Sequence, residues 1–319
     1  MKPFAFVFPG QGSQSVGMLD AWGDHPAVAQ TIQEASDALG QDMGRLIKEG
    51  TKEELALTTN TQPVMLVAGV AAYRVWMTEV GVAPAYVAGH SLGEYAALVA
   101  SGALSLSQAA PLVRFRAQAM QEAVPVSTGA MAAILGLYAP KIVAICAQIT
   151  GATALHDLQE NEVVEAVNFN DPMQTVIAGS KAAVDKACEV LKAEGAKRTL
   201  LLQVSAPFHS SLIKPAAEKL KVKLAETSFA AMHIPLINNI DVAIETDIAR
   251  IRNALYRQAF GAVRWVECVQ AIKAGGVSHI IECGPGKVLA GLVKRIDTDL
   301  TGAALFDPAS MTHVKELLL

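Results

Sequence analysis

The residues best suited to chemistry lie in the segment Gly89-His90-Ser91-Leu92-Gly93, which fits the pattern G-x-S-x-G. An apolar run typical of a strand precedes it, and an alanine-rich helical segment follows, which is the order of a nucleophile elbow. In such an elbow the serine hydroxyl stands beside a helix N-terminus, whose backbone N–H groups can stabilise developing negative charge. The pattern therefore predicts that Ser91 is a nucleophile; the alternative is a serine that only caps a helix.

A serine nucleophile needs a base, and the chain contains seven histidines. His209 lies in a loop directly after a predicted strand, where catalytic side chains are commonly presented. His90 adjoins the serine, but successive side chains in a tight elbow diverge, so we expect it to contact substrate rather than act as the base. On position alone His209 is the best candidate base, and an ordinary loop histidine is an equally good interpretation.

Two further segments are candidates for completing the site. Gly10-Gln11-Gly12 follows a predicted strand and is not continued by the Gly-Lys-Ser/Thr of a phosphate-binding loop. Its backbone could place an N–H near the serine and form an oxyanion hole with the N–H of Leu92. Arg116 lies on an apolar helical face, where a guanidinium could bind a carboxylate through two parallel hydrogen bonds. A plain turn and a surface arginine are the alternatives.

Strands and helices alternate along the chain, which predicts an α/β fold with a mostly parallel sheet and helices on both faces. We expect this sheet in a large hydrolase-like domain formed by residues 1–126 and 206–319. Residues 127–205 are predicted to follow the order β-α-β-β-α-β, which is typical of a small ferredoxin-like α+β domain inserted into the larger one. The tail, residues 300–319, matches no pattern that predicts a role.

Composition limits the class of protein. The 319 residues carry a formal net charge of −4, which gives no overall attraction to nucleic acid or to an acidic membrane surface. The best apolar stretch, Pro63–Tyr73, is too short to span a membrane, and the N-terminal apolar run ends too soon for a signal peptide. The four scattered cysteines form no Cys-x-x-Cys pair and predict reduced thiols without a metal site. We therefore expect a soluble cytoplasmic protein.

Taken together, these residues closely resemble the malonyl-CoA:acyl carrier protein transacylase family of fatty-acid synthesis. The resemblance extends from about Phe6 to Arg295. It rests on motifs that occur in the family's order: Phe8–Gln14, Gly89–Tyr95, Met120–Pro125, Val167–Asn170, Asn238-Asn239 with Asp241, Val263-Arg264-Trp265 and Gly284–Leu289. Ala262 stands where many members have proline, a departure that does not touch the proposed chemistry.

The resemblance implies a role for each matching residue. Ser91 is the nucleophile and His209 its base. Gln258 supplies a backbone carbonyl that orients the histidine in place of an aspartate. The remaining implied roles are oxyanion N–H groups from Gln11 and Leu92, a malonyl-carboxylate partner in Arg116, and residues lining the cleft between the domains at Asn168 and Asn170.

The implied reaction moves a malonyl group from coenzyme A to acyl carrier protein through a malonyl-serine intermediate. Coenzyme A and phosphopantetheine thioesters are then substrates, and no cofactor is implied. Carrier proteins are acidic, and the family has basic residues at the positions of Lys197 and Arg198, at the edge of the small domain. The resemblance therefore makes this pair our candidate docking site; an ordinary solvated pair is the alternative. Three other functions stay open: a serine hydrolase or thioesterase, a non-catalytic carrier-binding subunit, and a polyketide enzyme that uses malonyl or methylmalonyl units.

Overall fold

The structure, a computed structural model, describes residues 1–125, 127–152 and 158–319. The strands of its larger sheet are β1 (Phe4–Phe8), β2 (Tyr86–Gly89), β7 (Leu236–Ile237), β8 (His279–Cys283) and β9 (Thr301–Leu305). All the pairings are parallel, and the spatial order is β7-β2-β1-β8-β9. The predicted parallel sheet is therefore confirmed.

The central strand β1 shows why helices cover both faces of this sheet. Side chains alternate along a strand, and every residue of β1 is buried. Phe4 and Phe6 point to one face, where each ring centroid lies 5.5 Å from that of Trp76. Ala5 and Val7 belong to a separate core on the opposite face. A strand that is apolar on both sides needs a helical layer on each face, as the sequence predicts.

The helices associated with the larger sheet are α1 (Pro26–Leu39), α2 (Met43–Glu49), α3 (Lys52–Ala56), α4 (Thr58–Glu79), α5 (Gly93–Ala100), α6 (Leu106–Glu122), α9 (Lys214–Glu226), α10 (Ile248–Gln258), α11 (Trp265–Ala274), α12 (Val288–Ile296) and α13 (Pro308–Leu318). Helix α4 is the longest of them, with 22 residues. Pro63 lies in its second turn, where a proline has no N–H to donate and one backbone hydrogen bond of the helix is missing.

A second, antiparallel sheet has the spatial order β4-β5-β3-β6. Its elements are β3 (Gly129–Leu135), α7 (Ala139–Gly151), β4 (Val164–Asp171), β5 (Gln174–Ser180), α8 (Lys181–Ala193) and β6 (Arg198–Leu201). The order β-α-β-β-α-β and the edge positions of β4 and β6 confirm the ferredoxin-like arrangement. The exact domain bounds stay a prediction, and the predicted boundary residue 126 lies outside the described residues.

Strand β4 brings two asparagines of the small sheet against the segment between α10 and α11 of the large domain. The backbone N–H of Phe169 donates to the carbonyl of Val263 at 3.0 Å, and Val263 donates to Val167 at 2.8 Å. The register of β4 against β5 shifts on both sides of this contact. Asn168 and Asn170 consequently lie where the two sheets meet.

Within the described ranges, no helix is long and apolar enough to cross a membrane.

Candidate active site

The segment around Ser91 forms the sharp turn that the sequence predicts. Ser91 has φ +52°, a left-handed conformation that is uncommon for a residue with a side chain. A Cβ at Gly89 would lie 1.9 Å from the backbone of Gly93, and one at Gly93 would lie 2.0 Å from the carbonyl oxygen of Phe8. Both positions therefore require glycine. Strand β2 ends at Gly89 and helix α5 begins at Gly93, so the serine stands at the helix N-terminus.

His209 meets Ser91 in the geometry of a nucleophile and its base. The Nε2 atom of His209 lies 2.7 Å from Oγ of Ser91, and Nδ1 lies 2.8 Å from the backbone carbonyl oxygen of Gln258. A carbonyl can only accept a hydrogen bond, so Nδ1 carries the ring hydrogen. This leaves Nε2 unprotonated and facing the serine hydroxyl, which is the tautomer that a general base requires.

The surroundings of His209 keep its imidazole neutral. The side chain is buried, and burial is the main reason that its pKa falls to about 3, with the positive charge of Arg116 as the next contribution. The unprotonated form therefore predominates at neutral pH. Burial also lowers the pKa of His90.

Arg116 is buried beneath the serine rather than exposed on the surface. One guanidinium nitrogen donates to Oε1 of Gln62 at 2.6 Å, and the other lies 3.2 Å from Oγ of Ser91 and 3.3 Å from Oε1 of Gln258. In the described part of the chain no carboxylate forms an ion pair with it. Arginine stays protonated even where burial lowers its pKa. The site thus holds a buried positive charge next to the nucleophile, and no carboxylate is in direct contact with it; the charge of Glu94 acts on it only from a distance.

The two candidate oxyanion donors lie in adjacent loops. A Cβ at Gly10 would lie 2.7 Å from the carbonyl oxygen of His90, so the loop containing Gln11 packs directly against the elbow. The backbone N–H groups of Gln11 and Leu92 donate to no acceptor among the described residues. Two free N–H groups on adjacent loops can bind an oxyanion, as proposed from the sequence.

A narrow cavity of about 110 Å³ contains Ser91, His209, Arg116 and Gln11. It adjoins a larger cavity of about 280 Å³, which Gln11, His90 and Asn168 also line. The larger cavity opens between the two sheets and includes residues of α12. An acyl group fits the inner cavity, and the outer one has room for the chain that carries it.

The predicted substrate-contacting residues line this cleft. Nε2 of His90 lies 2.8 Å from Oδ1 of Asn170, and its ring centroid lies 5.5 Å from that of Trp265. The imidazole of His90 is therefore engaged with the small sheet and does not reach the serine hydroxyl as a base would. Oδ1 of Asn168 is buried without a hydrogen-bond partner among the described residues. It can accept an N–H from a ligand.

Two functional side chains were not assigned a role from the sequence. Asn239 accepts a hydrogen bond from the backbone N–H of Ser91 at 2.8 Å and donates to the carbonyl of Gly89 at 2.7 Å. Glu94 accepts from the backbone N–H of Asn239 at 2.9 Å and from Nε2 of Gln258 at 3.1 Å. Burial raises the pKa of Glu94 to about 7, although these N–H donors oppose the shift. The sequence contained one signal for Glu94, which is a charged residue within an otherwise apolar helix.

Lys197 and Arg198 do not belong to this cluster. Both are exposed at the start of β6, an edge strand of the small sheet. The chain continues from them to Leu202 and Val204, which line the inner cavity.

Comparison with known proteins agrees with this geometry. The model of the acyl transferase domain family matches residues 5–297. The chain is 51% identical to the malonyl CoA-acyl carrier protein transacylase of Escherichia coli K12, over 99% of this chain and 100% of that protein. The crystal structure of an acyl-carrier-protein S-malonyltransferase from Burkholderia pseudomallei superposes with a TM-score of 0.94 at 61% identity, covering 99% and 100% of the two chains.

A further solved structure shows a type II PKS acyl-carrier protein in complex with its malonyl-transacylase. That chain is 48% identical, the TM-score is 0.94, and 99% of this chain and 100% of that chain are covered. The resemblance noted in the sequence is thereby confirmed. This chain belongs to the acyl transferase domain family and, within it, to the malonyl-CoA:acyl carrier protein transacylases.

Proposed function

We propose that this protein transfers a malonyl group from malonyl-CoA to the phosphopantetheine thiol of acyl carrier protein, through a malonyl ester of Ser91. One observation carries the proposal. The hydroxyl of Ser91 lies between a neutral histidine nitrogen at 2.7 Å and a buried guanidinium nitrogen at 3.2 Å. The first contact activates a nucleophile, and the second places a positive charge where the free carboxylate of a malonyl group would lie.

In the first half-reaction, Oγ of Ser91 attacks the thioester carbonyl while Nε2 of His209 takes the hydroxyl proton. The C–O bond forms, and the carbonyl oxygen becomes an oxyanion that the N–H groups of Gln11 and Leu92 stabilise. The C–S bond then breaks, and His209 returns the proton to the departing sulfur of coenzyme A. The carbonyl of Gln258 holds the imidazole in place throughout.

The second half-reaction uses the same groups in reverse. The carrier-protein thiol gives its proton to His209 and attacks the ester carbonyl. The C–S bond forms, the bond to Oγ breaks, and the proton returns to Ser91. Atoms and charges balance without a resident cofactor, since coenzyme A and the carrier protein's phosphopantetheine are substrates. The exchange conserves the energy of a thioester, which hydrolysis would release.

Intact-mass spectrometry tests the proposal directly. Mixing the protein with malonyl-CoA should add one malonyl group, and adding phosphopantetheine-bearing carrier protein should remove it and transfer it to the carrier. An adduct that disappears equally fast without carrier protein would instead indicate a thioesterase. A protein that never acquires the adduct would contradict the proposal.

Replacing His209 by alanine should slow both half-reactions by about 10²-fold or more, because one base serves acylation and deacylation. Rapid-quench measurements of malonyl-enzyme formation and of transfer to carrier protein give the two rates separately. The exposed His313 offers a control, and His313→Ala should leave both rates unchanged. An unchanged acylation rate in the His209→Ala protein would assign the base elsewhere.

The acidic carrier protein needs a local basic surface, since this protein also carries a net negative charge. We propose that Lys197 and Arg198 supply it, because β6 leads from this exposed pair to Leu202 at the cleft. The relative solved in complex with an acyl-carrier protein supports the binding of a carrier protein as such.

Reversing both charges, Lys197→Glu with Arg198→Glu, should raise the KM for carrier protein about tenfold and spare the KM for malonyl-CoA. Steady-state kinetics with each substrate varied in turn makes the comparison. Lys48→Glu with Lys52→Glu, an exposed pair on the other domain's helices, is the matched control. Equal effects on both substrates, or none, would place the docking surface elsewhere.

A further inference from the structure

Glu94 is a buried acid at the centre of the hydrogen bonds beneath the active site, although it does not reach the reacting atoms. It lies on α5 and is 1% exposed. Its Oε2 atom accepts from the backbone N–H of Asn239 at 2.9 Å and from Nε2 of Gln258 at 3.1 Å. These two neighbours come from different parts of the chain, the segment after β7 and the end of α10.

Each neighbour of Glu94 in turn holds one half of the nucleophile–base pair. Asn239 accepts from the backbone N–H of Ser91 at 2.8 Å. Gln258 accepts from Nδ1 of His209 at 2.8 Å through its backbone carbonyl, and its side chain donates to the carbonyl of Ser91 at 2.9 Å. The amide nitrogen of Gln258 therefore donates one hydrogen to the carbonyl of Ser91 and the other to Glu94. One carboxylate oxygen thus links the serine turn to the residue that orients the histidine.

We propose that Glu94 is a positioning residue, which sets the geometry between Ser91 and His209 by fixing Asn239 and Gln258 together. The identity of the reaction rests on the function proposed above, but the positioning role rests on these hydrogen bonds alone. Glu94 touches neither Oγ of Ser91 nor the imidazole, so its effect on the rate passes through its two partners.

Stability alone does not account for a carboxylate at this position. In the described part of the chain no Lys, Arg or His forms an ion pair with Glu94. The charge of Arg116 acts on Glu94 only from a distance and does not outweigh burial, which raises the pKa of this acid. A buried acid without a cation in contact is costly, and an apolar side chain in the same helix would avoid that cost. What an apolar side chain lacks is an acceptor for two N–H groups that arrive from separate segments. Without one, the amide of Gln258 keeps its contacts with Ser91 and Arg116 but loses the partner that ties it to Asn239. The backbone carbonyl of Gln258 is then held less firmly, and so is the distance between His209 and the serine.

The test compares the reactivity of Ser91 in three variants, measured with phenylmethylsulfonyl fluoride as well as with malonyl-CoA. The sulfonyl probe forms a bond from Oγ to sulfur, fluoride leaves and His209 takes the proton, so it reports on the pair independently of the acyl group. Glu94→Leu removes the acceptor at similar volume. Glu94→Gln keeps an acceptor oxygen without the charge. Glu282→Leu is the matched control, because Glu282 is equally buried but caps α12 through the N–H of Ala290 at 2.9 Å.

We expect Glu94→Leu to lower the rate of sulfonylation and the limiting rate of malonylation by about tenfold to a hundredfold, with the dissociation constant for malonyl-CoA unchanged. Glu94→Gln should recover most of the loss. Glu282→Leu should lower the melting temperature and leave the sulfonylation rate at the wild-type value.

Wild-type reactivity in Glu94→Leu, or an equal loss in Glu282→Leu, would overturn the positioning role. If Glu94→Leu does not fold, Gln258→Leu answers the same question. It keeps the backbone carbonyl that holds His209 and lacks the amide that Glu94 fixes, so it should lose reactivity to a similar degree; a wild-type rate would again overturn the proposal. A protein that reacts with the sulfonyl probe but not with malonyl-CoA would contradict the proposed function and leave the role of Glu94 testable.

Discussion

Replacing Ser91 by alanine should abolish both the malonyl adduct and transfer to carrier protein, with a fall in rate of at least about 10⁴-fold. Without Oγ no ester can form, and no other hydroxyl lies 2.7 Å from Nε2 of His209 among the described residues. The fold should survive, because alanine differs only by the hydroxyl, and the φ of +52° at this position is already tolerated by serine. Intact-mass analysis and a carrier-protein transfer assay measure the two losses.

Ser211→Ala is the control for this variant. Ser211 lies in the histidine loop, two residues from His209, and its side chain is exposed, so both activities should stay at the wild-type level. A circular-dichroism melt should give similar midpoints for both variants. Transfer near the wild-type rate in the Ser91→Ala protein would exclude a malonyl-serine intermediate.

The fold was predictable where local pattern and tertiary packing demand the same element. Strand β1 is a run of apolar residues bounded by Pro9-Gly10, and it is the central strand of the sheet. Helix α1 begins with Pro26 and is followed directly by Gly40, in the positions that the sequence rules prefer. The alternation of short elements after residue 127 likewise indicated the small sheet. In each case the sequence signal is confined to a few adjacent residues.

The missed elements have a common physical cause. Strand β9 consists of Thr301–Leu305, a short run of small residues with neither clear alternation nor β-branched enrichment. It forms because β8 offers a free parallel edge, and α13 then packs beside it. Helices α2 and α3 are also short, and a side-chain cap begins each one. Elements β9, α2 and α3 have only five to seven residues, too few to show a clear apolar period, and β9 also depends on pairing with the distant β8.

The residues of the candidate site also fall into two groups, those with a local sequence signal and those placed by contacts between distant segments. Ser91 was predictable because glycines at fixed spacing are a local requirement of the elbow. Gln258 acts on His209 through its backbone carbonyl, which any residue could provide, so only the family resemblance pointed to it. The depth of Arg116 depends on α4 and α6 packing together, and the sequence alone favoured the surface as its default place. The roles of Asn239 and Glu94 depend on contacts between four segments of the chain: the turn at Ser91, helix α5, the segment after β7 and the end of α10.

Removing the guanidinium by Arg116→Ala should lower kcat/KM for malonyl-CoA by about 10²- to 10³-fold. This corresponds to roughly 3–4 kcal/mol, within the roughly 3–5 kcal/mol lost on breaking a buried ion pair. Malonyl differs from acetyl by a terminal carboxylate, whose burial without a partner is costly. Arg116 is 2% exposed and lies 3.2 Å from Oγ of Ser91, so it can pair with that carboxylate inside the cavity. Acetyl-CoA should react as fast or faster, because a neutral acyl group gains nothing from a buried cation.

The measurement is a matched pair of acylation rates, malonyl against acetyl, for each variant. Arg114→Ala is the control, since Arg114 lies two residues earlier on α6 and bonds to Gln41 instead of the site. It should leave the ratio of the two rates unchanged. Arg116→Lys should restore malonyl transfer only in part, because an ammonium lacks the planar pair of donors that also contacts Gln62 and Gln258. Equal losses for both acyl groups would show that Arg116 supports the structure, and selectivity for the dicarboxylate would then need another source.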